Sequence, residues 1–98
     1  MPTFVSLFGW TDQGVRNVKE TTKRAATFKQ SIQAAGGSVK QILWTMGRYD
    51  GIIIFEAPDD ATAAGVMMNG CALGYVRTET LRAFTEDEMA GVLSKVGG

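Results

Sequence analysis

Ninety-eight residues, 45% of them apolar and 20% charged, describe one globular domain, residues 1–98, with a core that hides only about 60–65% of the unfolded surface. Formal net charge is zero and there is no histidine, which excludes His-ligated zinc or haem and any Ser-His or Cys-His nucleophile pair. Cys71 is the single cysteine, so an internal disulfide is excluded and a reducing compartment fits.

The opening MPTFVSLFGW lacks the basic region and long apolar stretch of a signal peptide. No apolar run approaches the ~20 residues of a membrane span. A cytoplasmic protein without membrane partners is expected. Charge is uneven: residues 1–40 carry six basic and two acidic side chains, and residues 41–98 carry four and eight. A solvated basic helix face accounts for this; the sharper reading is complementary patches for self-association or for an anionic ligand.

Thr3 to Trp10 reads as a strand with Phe4, Ser6, Phe8 and Trp10 on one face and Thr3, Val5, Leu7 and Gly9 on the other. Both faces are largely apolar, so both need cover. Thr11 suits an N-cap. Val15, Val18, Thr22, Ala25, Phe28, Ile32 and Ala35 then recur at helical spacing. Gly14 and Thr21-Thr22 are weak helix formers and predict a break near residues 17–22. Gly36-Gly37 ends the helix.

Ser38 to Met46 reads as the second strand, with Val39, Gln41, Leu43 and Thr45 opposite Lys40, Ile42, Trp44 and Met46. The turn Gly47–Gly51 makes a hairpin with the third strand, Ile52–Ala57. Pro58-Asp59-Asp60 starts a second helix, rich in small residues, that ends at Asn69-Gly70. Tyr75 to Phe84 is the fourth strand. Thr85-Glu86-Asp87-Glu88 is a capping box before a short helix with Met89, Val92, Leu93 and Val96 inward.

Two βαβ crossovers around a central hairpin make an α+β, ferredoxin-like βαββαβ fold with an extra C-terminal helix. Its first and third strands belong at the centre of the sheet. Because they are apolar on both faces, two sheets are expected to pack face to face, as in a dimeric α/β barrel.

The turn Gly47-Arg48-Tyr49-Asp50, the segment Glu56-Ala57-Pro58-Asp59-Asp60 and the strand Val76 to Phe84 together resemble the GYD domain family, named for the Gly, Tyr and Asp of this turn. The resemblance runs from Phe4 to about Glu88. It implies a small α/β barrel protein, and it carries no settled activity and no catalytic residue. The Gly-x-Tyr-Asp hairpin is also similar to that of the ligand-sensing domains of leucine-responsive regulators, a fold-level analogy.

The candidate ligand-binding residues are Trp10, Tyr49, Asp50, Arg77 and Glu79. Asp50 suits a turn-locking role. Tyr49 offers a ring for packing and a hydroxyl for a ligand. Arg77 and Glu79 share a strand face, where they could pair, or Arg77 could fix a ligand carboxylate. Glu56 is read as a strand-end carboxylate in water or paired with an arginine of the fourth strand. Cys71 is read as filler, and Met46, Met67, Met68 and Met89 as packing. No metal, cofactor or nucleotide cradle is indicated. The IIIFEA strand lacks the basic, aromatic surface on which RNA bases stack, so no nucleic-acid partner is expected.

Three functions fit. The first is a homo-oligomeric scaffold binding a small molecule near Trp10, Tyr49 and Arg77. The second is a cofactor-independent monooxygenase- or isomerase-like enzyme for a small aromatic or lactone substrate, held by Tyr49, Asn69, Arg77 or Glu56. The third is an interaction subunit without a ligand site.

Overall fold

The computed structural model describes residues 1–97. Strand β1 (Thr3–Trp10) leads into a short helix α1 (Asp12–Arg16) and helix α2 (Thr21–Ala34). Strands β2 (Ser38–Trp44) and β3 (Gly51–Glu56), helix α3 (Asp60–Ala72), strand β4 (Val76–Ala83) and helix α4 (Glu86–Leu93) follow. The strands form one antiparallel sheet in the order β2-β3-β1-β4. This is the expected ferredoxin-like arrangement, with β1 and β3 at the centre.

Alternation along β1 and β3 decides the two sides of the sheet. Phe4, Ser6 and Phe8 lie opposite Phe55, Ile53 and Gly51, and all six are buried. Phe4 stacks on Phe55 at 5.4 Å, and Phe28 of α2 meets Phe55 edge-on at 5.9 Å. Ile32 of α2 and Ala63 and Met67 of α3 complete this core. The buried Ser6 hydroxyl is satisfied by Thr80 Oγ1 at 3.0 Å. Gly51 is required by packing, because a Cβ there would stand 2.1 Å from Cζ of Phe8.

The break after α1 is real. Asn17 leaves helical geometry at φ −112°, a 3-10 turn covers Val18–Glu20, and α2 begins at Thr21. The apolar stripe is rephased there, so Val15 is 56% exposed rather than inward. Gly14 allows α1 to touch the chain before β4; a Cβ would lie 2.0 Å from the Tyr75 carbonyl oxygen. At the far end Gly36 takes φ +91°, its N–H bonds the Gln33 carbonyl, and the Gly37 N–H bonds that of Ile32. That pair of bonds is a Schellman stop.

Three details differ from the sequence reading. A bulge between Val39 and Gln41 puts Val39 on the same side as Ile42 and Trp44, and turns Gln41 and Leu43 to the other. Helix α3 runs through Asn69-Gly70 to Ala72, and the chain turns at Gly74 with φ +90°. Helix α4 keeps its Thr85–Glu88 capping box, but Met89, Leu93 and Val96 are exposed. The molecule measures 53 by 31 by 19 Å. Helix α4 packs closely on no strand of the sheet.

Replacing Gly51 by Ala forces Phe8 off its rotamer and should cost about 1–3 kcal/mol. Gly65→Ala, on an open helix face with nothing within 4 Å, should instead gain about 0.5–1 kcal/mol. Chemical denaturation of the two variants checks both signs.

Candidate functional site

The two sides of the sheet carry different surfaces. On the helix side, α2 and α3 straddle a cavity of about 790 Å³. Phe8, Ile42, Ile53 and Val76 form its floor; Thr21, Ala25, Phe28, Val66, Met67 and Gly70 are among its walls. Trp44 lines one edge and donates Nε1 to Thr21 Oγ1 at 3.1 Å. Another edge is formed by Arg24 and Tyr75, with the guanidinium carbon 4.4 Å above the ring.

Among the described residues, no helix lies over the opposite side. Val5, Leu7, Ile52 and Ile54 are half-buried by one another in its centre, and Leu43 and Leu81 are exposed beside them. A polar rim surrounds this patch. At one end Lys40 Nζ lies 2.9 Å from Glu56 Oε1. At the other end the Tyr49 hydroxyl donates to Glu79 Oε2 at 3.3 Å, and Arg77 sits exposed opposite Gly9.

The five candidate residues therefore do not line one cavity. Tyr49, Arg77 and Glu79 share an end of the bare face. Trp10 lies through the sheet on the helix side, packed against the core. Asp50 sits at the seam between them. Its Oδ2 accepts the Trp10 backbone N–H at 2.8 Å, its own N–H reaches the Phe8 carbonyl at 2.8 Å, and its carbonyl accepts from Thr45 N at 2.9 Å. The carboxylate thus clips the β2–β3 turn to the end of β1. The turn-locking role expected from Asp50 is present, through a partner forty positions away rather than two.

Glu56 pairs with Lys40 of β2, not with an arginine of β4. The hydrogen bond from Lys40 is the main reason its carboxyl titrates below the ordinary range; partial desolvation opposes this, and the Lys40 charge adds to it. Of the residues expected to hold an enzyme substrate, Asn69 borders the cavity. Glu56 ends β3 and Tyr49 lies in the turn before it, so the four do not converge.

Arg24 and Tyr75 were not singled out from the sequence. A signal was present: Arg24, Phe28 and Ile32 are spaced by four, so a cation stands on the apolar stripe of α2. Tyr75 immediately precedes β4, and its carbonyl accepts from Thr11 N at 3.1 Å.

The fold and these surfaces define a small ferredoxin-like α+β protein with an apolar cavity on one side of its sheet and an uncovered apolar patch on the other. The chain belongs to the GYD domain family, whose model matches residues 4–93. It is 33% identical over 84 residues to the glutamine synthetase and cystathionine beta-lyase binding protein of Thermus thermophilus, covering 85% of this chain and 88% of that one. The crystal structure of TTHA0845, also from Thermus thermophilus, has a similar fold. Its TM-score is 0.55 at 24% identity, over 87% of this chain and 95% of that one. No helix among the described residues is long and apolar enough to cross a membrane.

Removing the Asp50 carboxylate leaves the Trp10 N–H without its acceptor. Asp50→Ala should cost about 1–3 kcal/mol, and Asp50→Asn, which keeps an oxygen, should recover part of it in thermal melts. Glu56 has a lowered folded-state pKa, so its contribution to stability is complete above the ordinary carboxylate range. That contribution is lost as pH falls through the folded value. Lys40→Met should flatten this acid limb in melts between pH 3 and 6, a window about the ordinary value.

Proposed function

We propose that this chain is a self-associating binding protein: two copies pair through the bare sheet face, and the paired scaffold docks on a partner enzyme. The observation that carries the reading is the apolar patch of Val5, Leu7, Ile52, Ile54, Leu43 and Leu81 with its polar rim. Strands about 4.8 Å apart and rising about 3.3 Å per residue give a four-stranded sheet a face of roughly 500 Å² in projection. With the rim and loops, this approaches the ~800 Å² per partner of a stable interface. An apolar centre inside a polar rim is also the usual anatomy of such a surface.

The Thermus relative supports the second half of the reading, since its name records binding to glutamine synthetase and cystathionine beta-lyase. The partner proposed here is an enzyme of that kind. The exposed Met89 and Leu93 of α4, with Val96 just after it, supply apolar contact area outside the paired sheets.

Light scattering at low micromolar concentration should give twice the mass of one chain. Ile54→Lys places a charge in the centre of the patch and should halve that mass while circular dichroism keeps the native helix and strand signal. A clean monomer in the unmodified protein sinks the proposal. Co-elution of the protein with purified glutamine synthetase or cystathionine beta-lyase tests the partner separately.

A further inference from the structure

We propose that the cavity between α2, α3 and the sheet is a binding site for an apolar carboxylic acid, with its hydrocarbon body under the helices and its carboxylate at Arg24. The volume of about 790 Å³ falls within the range of ordinary small-molecule sites. Collapse of the two helices would be expected to erase so large a void in a well-packed domain, yet α2 and α3 are each held in place by separate anchors. Ile32 fixes α2 and Met67 fixes α3 on the core, both buried. The walls are those of an apolar guest, with aromatic faces from Phe8, Phe28 and Trp44.

The polar end of the guest follows from Arg24, which lines the cavity. Arg24 spends Nη1 on the Asn17 carbonyl at 3.1 Å, while its buried Nη2 has no acceptor among the described residues. No carboxylate lies within ion-pair distance of its guanidinium among those residues. At the cavity edge the Arg24 guanidinium stacks on the Tyr75 ring. An unmet donor on a cation that lines an apolar cavity calls for an anionic acceptor, since an unmet buried donor is costly and an arginine binds a carboxylate through charge-assisted bonds. The excess of basic residues in the first forty positions favours that sign of charge.

This site lies on the covered side of the sheet, away from the patch proposed for self-association, so each can fail without the other. Titration calorimetry with 2-naphthoate and decanoate, each beside its neutral amide, tests it. At least one acid should bind, and about tenfold or more tighter than its amide, the size of one charge-assisted bond. The two acids distinguish a ring from a chain as the natural body. Arg24→Gln should remove the preference for acid over amide. Ala25→Trp should abolish binding of both while leaving the mass in light scattering unchanged. The inference is overturned if neither acid binds at millimolar concentration, if acid and amide bind alike, or if Arg24→Gln keeps the preference. Far-ultraviolet circular dichroism confirms that each variant is folded before it is titrated.

Discussion

Strand β1 occupies the middle of the sheet with apolar side chains on both of its faces, and the rest of the structure answers that constraint. Phe4 and Phe8 need a lid, which α2 and α3 supply. Val5 and Leu7 need one too, and nothing among the described residues supplies it. A domain of this size has little apolar surface to spare, and the bare centre flanked by Ile52 and Ile54 is the surface on which the proposed pairing rests. Asp50 belongs to the same constraint. By accepting the Trp10 amide it ties the hairpin turn to β1 just beyond the last β1–β3 pair.

The sequence made much of this legible because the relevant signals are local. Alternation in Thr3–Trp10, the Gly36-Gly37 stop and the Thr85–Glu88 box each depend on a few neighbouring residues, and each is found where the pattern places it. The misread details come from interactions at a distance. The bulge in β2 shifts Val39 across the sheet, and bulges leave no mark in a two-residue alternation. Asn69-Gly70 looks like a helix end, but α3 continues because tertiary contacts outweigh the propensity of one glycine. The inward face expected for α4 is apolar by pattern; the pattern specifies that it wants cover and does not say from which chain.

The candidate site was harder to read for a related reason. Tyr49, Asp50, Arg77 and Glu79 attract notice as polar groups in conspicuous places, and the fold spends the Asp50 carboxylate and the Tyr49 hydroxyl on contacts within the chain. Arg24 is inconspicuous among six basic residues in the first forty. Only its phase relative to Phe28 and Ile32 sets it apart, and that phase depends on where the helix restarts after Asn17. An error of one residue in the restart would place Arg24 in solvent.

The pairing of β1 with β4 also governs how this chain folds. Its register joins Thr3 to Ala83 and Trp10 to Val76, so a central strand waits for a partner from near the other end of the polypeptide. Closing so long a loop costs entropy before any ladder bond compensates it, and topologies dominated by such contacts fold slowly. During synthesis β1 emerges first, then the hairpin that flanks it on one side, and its other edge stays unpaired until residue 83 has left the ribosome. For that interval a strand rich in Phe, Val and Leu offers free backbone donors to any neighbouring chain. The two-faced apolar strand is therefore an aggregation hazard before it becomes the centre of the sheet.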